Sequence, residues 1–219
     1  MKIVEPRVEV YFHYPRIGGS VSEQEHFSIA CFLEKVGRCC YKSEDKVTQD
    51  SAGKFIKMLF DRGHYAMLEH CVASVLYVTD RGVSHELVRH RLASFAQEST
   101  RYCNYSKEKF DKQISVVKPE EIQGEFVEGA WRKVMETAEK VYMDMLAWGV
   151  QPQIARCVLP TCLKTELWET ANLREWHHIF TLRCSPQAHP QMQKIMKKVL
   201  PQFVREVPEM FEDLGNQYL

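Results

Sequence analysis

The chain lacks any long apolar run. Its most hydrophobic stretch, near residues 71–78, is far shorter than the roughly 20 residues a helix needs to cross a bilayer, so no membrane-spanning helix is expected. It also lacks an excess of either charge. Lys+Arg and Asp+Glu both number 29, which argues against nucleic acid as the main partner while leaving room for a local basic pocket. No Gly-x-Gly-x-x-Gly fingerprint occurs, and Gly18-Gly19-Ser20 is not followed by the Lys of a phosphate loop, so it reads as a turn. Met1 to Arg7 contains no apolar core of a signal peptide. No Cys-x-x-Cys pair is found, although there are eight cysteines; Cys39 and Cys40 are adjacent and the other spacings are irregular. Reduced, mostly buried thiols and a cytoplasmic location are therefore expected.

What is present is an ordinary globular balance: 45% hydrophobic and 26% charged residues over 219 positions. No repeat, low-complexity run or flexible linker interrupts it, so a single domain over 1–219 is expected. Helices are predicted over 23–41, over 50–61 with Thr48 or Asp50 as cap, and from a Ser84 cap to about Leu92. A long amphipathic helix fits 120–148, with Phe126, Ala130, Val134, Ala138, Val141 and Met145 on one face. Pro152 opens another helix, Asn172 caps one running to about Leu182, and a last helix starts near Gln191, limited or bent by Pro201 and Pro208. Strands fit 71–79, 114–117 and 161–170, with Asp80-Arg81-Gly82 as a turn. Strands and helices do not alternate as a doubly wound sheet requires, which gives an α+β class.

Nine histidines invite a metal site, yet the spacings oppose one. His85 and His90 are five apart, about 140° around a helix, and His177 and His178 are adjacent; neither pair can share an ion as an i, i+4 pair does. No metal is expected. Cys162 is the nearest nucleophile candidate but has no evident activating neighbour, and Ser99 has no evident base.

The chemistry concentrates in Arg89-His90-Arg91-Leu92-Ala93-Ser94-Phe95-Ala96-Gln97-Glu98-Ser99-Thr100-Arg101. Arginine forks suit phosphate and planar carbonyl groups, and hydroxyls complete phosphate coordination. A solvated basic stretch is the bland alternative. Further along come Asn172-Leu173-Arg174-Glu175-Trp176-His177-His178, with Arg183 nine residues after Arg174; Gly63-His64-Tyr65-Ala66-Met67-Leu68-Glu69-His70; and Arg38-Cys39-Cys40-Tyr41-Lys42-Ser43.

The pattern RHR, seven residues, Ser, then Thr-Arg-Tyr resembles the signature of the flavin-dependent thymidylate synthases, and the other three segments resemble further motifs of that family. Together they cover about residues 26 to 190. The resemblance implies a central antiparallel sheet flanked by helices, assembled as a homotetramer with active sites at subunit interfaces. It implies reductive methylation of dUMP to dTMP, with methylenetetrahydrofolate as carbon donor and FAD, reduced by NADPH, as hydride donor.

The same resemblance assigns roles. Arg183 would activate the pyrimidine. Ser99, Arg101 and Arg156 would hold the dUMP phosphate and sugar, with Gln97 and Glu98 beside them and Arg89 arriving from a neighbouring subunit. His64, Arg89, His90, Arg91, Gln97, Asn172, Arg174 and His178 would surround FAD. Three departures stand out. Ala66 replaces a Ser or Thr that helps hold FAD; Ala96 and Gln97 sit where some members have Asn and Glu; and Glu86 stands where a Gln often contacts dUMP. The alternatives are an inactive FAD- and dUMP-binding relative, and an RNA-binding module stacking bases on Tyr102 and Tyr105.

Overall fold

The computed structural model describes residues 1–13 and 28–219. The strands are β1 (Lys2–Ile3), β2 (Arg7–His13), β3 (Val72–Asp80), β4 (Ala93–Gln97), β5 (Ser115–Val116) and β6 (Lys164–Asn172). The helices are α1 (Ile29–Tyr41), α2 (Ser51–Asp61), α3 (Arg81–Leu87), α4 (Glu125–Ala147), α5 (Pro152–Ala155), α6 (Leu173–Arg183), α7 (Pro190–Glu206) and α8 (Pro208–Tyr218). The class is α+β, with a four-stranded antiparallel sheet in the order β2-β3-β6-β4 and a separate parallel pair, β1 with β5. Among the described residues, no helix is long and apolar enough to cross a membrane. Gly18-Gly19-Ser20 and the predicted helix start at Glu23 lie outside the described residues.

The chain divides into two compact units, each assembled from separated segments. The first comprises Met1–Arg7, Leu76–Arg89 and Phe95–Trp168; the second comprises Val8–Val75, His90–Ser94 and Glu169–Leu219.

In the first unit, Tyr105, Ile114, Val116, Met135, Tyr142, Ala155 and Leu163 form the core. Glu139 of α4 ties in both the N-terminal amine, at 2.7 Å, and the Ile114 backbone N–H, at 2.9 Å. The buried face of α4 is therefore the one carrying Met135 and Tyr142. The face chosen from periodicity is the other one: Phe126 is 90% exposed and Val134 60%. Two apolar stripes run along this helix, and periodicity alone cannot rank them.

The second unit is built on aromatic packing. Phe203 of α7 lies 5.1 Å from Trp176, 5.0 Å from Phe180 and 5.2 Å from Phe211, ring centre to ring centre. Trp176, though fully buried, satisfies its indole N–H by donating to the Ala73 carbonyl at 3.0 Å. Helices α1 and α2 pack so closely that a Cβ on Gly37 would stand 2.6 Å from the Phe55 ring.

Several local expectations change. Asp80 ends β3 and caps α3 by accepting from the Val83 N–H at 2.8 Å, so 80–82 is a strand-to-helix junction rather than a turn. Ser84 lies inside that helix, which stops at Leu87. Strand β4, within the arginine motif, was not expected from sequence, since Phe95 is its one aromatic or β-branched residue. At α2 the N-cap is Asp50, one of the two residues expected there, although its side chain makes no capping bond; the Ser51 hydroxyl instead accepts from the Thr48 N–H at 2.9 Å, just before the helix. Helix α7 continues through Pro201, while Pro208 occupies the first turn of α8, where its missing N–H costs no bond. All eight cysteines are free, but only Cys71 and Cys184 are buried.

Candidate functional site

The first unit collects much of the arginine motif around one turn. Glu98 extends β4 by donating its N–H to the Glu166 carbonyl at 2.8 Å. The chain then folds over: the Ser99 carbonyl accepts from the Tyr102 and Cys103 N–H groups at 3.0 and 2.8 Å. The Ser99 hydroxyl accepts from the Arg101 N–H at 3.3 Å. Arg101 is held by Gln153 of α5 at 3.1 Å, and Arg156, at the end of the same helix, donates to the Thr100 hydroxyl at 3.3 Å. A hydroxyl and two exposed guanidinium groups thus meet at one turn, an arrangement suited to a phosphate. Gln153 was not singled out from the sequence because nothing in its local pattern marks it, whereas Thr100 lies within the arginine motif itself.

Two predicted substrate residues face inward here. The Glu98 carboxylate accepts from the Tyr105 hydroxyl at 2.9 Å and from Lys164 at 3.1 Å. Burial, reinforced by this carboxylate, raises the Tyr105 hydroxyl well above its ordinary range. Gln97 donates its amide to Ser84 at 2.8 Å and Thr165 at 3.1 Å. Glu86 is half-buried on α3, and Arg89 is exposed just beyond it. Tyr105 is buried, so it offers no face for stacking an RNA base.

The second unit holds the remaining candidates. Asn172 caps α6, accepting from the Glu175 N–H at 2.9 Å. Arg174, exposed on the first turn, pairs with Glu69 at 2.5 Å and lies over the Tyr65 ring at 5.5 Å. His64 shares a 2.6 Å hydrogen bond with Tyr41, joining the two N-terminal motifs. Ala66 is exposed and, lacking a hydroxyl, leaves only its backbone to bind with. Arg91 and His178 are exposed as well.

His90 is the exception, only 5% exposed. Its Nε2 accepts from Nε of Arg183 at 3.0 Å, its Nδ1 lies 3.6 Å from the Glu175 carboxylate, and its ring centre is 6.1 Å from that of His178. Burial first, then the Arg183 and His178 charges, bring its pKa down to about 4. The ring is neutral at pH 7, and because Nε2 accepts, its proton sits on Nδ1.

Among the described residues, His90, Glu175 and His178 bring three ligand atoms within 4.8 Å of one another. The histidine spacings could not show this group, since His90 comes from a different segment than Glu175 and His178, which share α6. Arg183 already occupies Nε2 of His90, and its positive charge opposes a cation there. Cys162 is no better placed as a nucleophile: its sulfur lies 3.0 Å from that of Met135, and burial pushes its thiol up to about 11.

The structure thus defines an α+β protein with exposed arginines gathered at one turn and a part-buried arginine–histidine contact. The chain belongs to the family described as thymidylate synthase complementing protein, whose model matches residues 30–209. It is similar to the flavin-dependent thymidylate synthase of Pyrococcus furiosus, 28% identical over 182 residues, covering 83% of this chain and 74% of that one. The enzyme of the same name from Mycobacterium sp. (strain KMS) is 30% identical over 208 residues, covering 84% and 79%. That from Geobacter sulfurreducens is 30% identical over 188 residues, covering 81% and 78%.

Proposed function

We propose that this protein is a flavin-dependent thymidylate synthase. It converts dUMP to dTMP, taking one carbon from methylenetetrahydrofolate and a hydride from FAD that NADPH has reduced. Family membership and the names of its relatives support the reaction class. The observation that carries the mechanism is the Arg183–His90 contact, a cation oriented by a neutral ring.

Uracil C5 must become nucleophilic, gain a methylene group, lose its proton and receive a hydride. A cation beside the pyrimidine favours the N3-ionised ring, which pushes electron density toward C5 without an enzyme nucleophile. Arg183 performs this activation. Ser99, Arg101 and Arg156 bind the dUMP phosphate and sugar. Glu98 and Gln97 shape that turn from within, using the inward bonds described above, and Glu86 borders the substrate.

The exposed cationic donors of the second unit fit the diphosphate of FAD: Arg91 and Arg174, with His178 as a further donor. His64, His90 and Asn172 complete the set in that unit. FAD supplies the hydride when bound and reduced, and the side chains orient it and exclude water.

The chain acts as one domain in a cytoplasmic homotetramer, with Arg89 reaching the dUMP of a neighbouring subunit. Its exposure and the uncovered apolar stripe of α4 support that assembly. The test is dTMP formation from dUMP, methylenetetrahydrofolate, NADPH and FAD, with flavin-stripped protein as control. Flavin-dependent dTMP is expected. A bound, reducible flavin without product would mark a binding relative that has lost turnover.

A further inference from the structure

Glu175 has no part in the scheme above, yet it is only 7% exposed, an unusual position for an acid. It stands three residues after the Asn172 cap, where a glutamate commonly reaches back to close a capping box. Here Asn172 does cap the Glu175 N–H, but a Glu175 carboxylate oxygen lies 3.6 Å from Nδ1 of His90. That is an electrostatic contact, slightly longer than a hydrogen bond. On the other side of the same ring, Nε2 accepts from Arg183 at 3.0 Å. Glu175 and Arg183 occupy opposite ends of α6, about 12 Å apart along its axis at the usual rise per residue. The His90 ring, from a different segment, is held between their side chains. Helical side chains lean toward the N-terminus, which lets Arg183 reach back to it.

We propose that Glu175 is a positioning residue for the reaction: it faces the Nδ1–H side of His90, keeps Nε2 turned to Arg183, and so fixes the direction of the activating guanidinium. The proposal rests on the synthase function assigned above. An imidazole has two faces to its hydrogen bonding, and an acceptor at Nδ1 decides which nitrogen is left to receive the arginine. Without the carboxylate, the ring is free to rotate or to exchange tautomers, and Nε2–H would turn Arg183 away.

The test uses flavin-loaded full-length protein, Glu175→Ala and Glu175→Gln, with two readouts. The first is the ¹⁵N shift of the His90 ring, assigned by comparison with His90→Gln. The second is steady-state dTMP formation. The unmodified protein is expected to show a neutral ring protonated at Nδ1, and Glu175→Ala to lose that single tautomer. For Glu175→Ala, kcat should fall roughly 10- to 100-fold, as for a misplaced catalytic group, while KM for dUMP changes little. Glu175→Gln keeps a carbonyl acceptor and should recover most of the rate.

Wild-type turnover in Glu175→Ala would overturn the proposal. So would a Glu175→Gln enzyme as slow as the alanine variant with an intact fold, or a proton on Nε2 in the unmodified protein. A stoichiometric metal ion in the purified protein that disappears in Glu175→Ala would replace positioning with ligation. If the unmodified protein makes no dTMP, the synthase assignment fails, and the ring shifts still decide whether Glu175 orients His90.

Discussion

Arg183 donates from Nε to Nε2 of His90 across 3.0 Å, and the histidine that receives it is buried and neutral. A carboxylate in that place would have oriented the guanidinium but offset its charge. The imidazole orients it and leaves the charge uncancelled by this contact, which suits a group whose task is to stabilise an anion.

Arg183→Ala should therefore lower dTMP formation by about 10²–10³-fold or more, the scale seen when one donor to a developing anion is removed. Flavin should stay bound, since Arg183 is assigned to the pyrimidine. Flavin absorbance of the purified variant, read beside its turnover, checks both halves. Near wild-type turnover would remove Arg183 from the activating role. Arg183→Lys should recover little, because an ammonium lacks the planar fork and the Nε that meets His90.

Arg174 gives a contrasting expectation. It is exposed, paired with Glu69 and laid over Tyr65, so its head group sits at the surface with its direction already set. Arg174→Ala should purify with little flavin but keep its fold, because an exposed ion pair contributes only about 0–1 kcal/mol to stability. Full flavin occupancy in this variant would take Arg174 out of the cofactor set. Glu69→Gln separates the roles: it leaves the arginine present but unclamped, and should weaken flavin binding less than Arg174→Ala does.

Helices announced by local chemistry were legible in the sequence. Asn172 caps α6 as its position suggested, Gly149 with its positive φ follows α4, and Pro152 starts α5. That Ser99 and Arg101 share one turn was also legible, because they lie two residues apart; that Arg156 joins them through Thr100 was not. What could not be read is whatever depends on segments meeting in space. Glu98 looks like a ligand of a cationic site, but Tyr105 and Lys164 hold its carboxylate inside. Glu175 looks like half of a capping box until His90, from 85 residues earlier in the chain, is found beside it. The stripe of α4 was seen correctly as apolar and assigned to the wrong side, because a sequence shows apolarity and not what covers it.

His90 also predicts how stability depends on pH. Its folded pKa, about 4, lies below the ordinary value of 6.5, so the unfolded chain takes up this proton first as pH falls. The contribution is fully present above about pH 6.5, declines between 6.5 and 4, and is lost below. On the scale of about 1.4 kcal/mol per pKa unit it is on the order of 3 kcal/mol. Burial lowers His177 as well, adding in the same direction. The melting temperature should therefore fall across this window, and His90→Gln should fall less steeply over the same range. Parallel profiles for the two proteins would show that His90 is not held neutral by the fold.

The last expectation concerns α4. Phe126, Val134 and Trp148 are 90%, 60% and 79% exposed, with Val141 between the latter two. They recur along one side of a 23-residue helix and its C-cap, Trp148, while the opposite side of the helix already buries its Met135 and Tyr142. An uncovered apolar stripe of this length is costly in water, since burying each such side chain is worth about 1.5–3 kcal/mol. Covering it with another subunit removes that cost and fits the tetramer proposed for this chain. Val134→Glu should therefore shift the protein toward smaller species in light scattering, with little change in the helical signal of the subunit. If Arg89 serves a neighbouring subunit's dUMP, dTMP formation should fall together with assembly and recover partly at high protein concentration. Val134→Glu protein that stays fully assembled would place the subunit contacts elsewhere, and loss of turnover without dissociation would separate α4 from the assembly on which the active site depends.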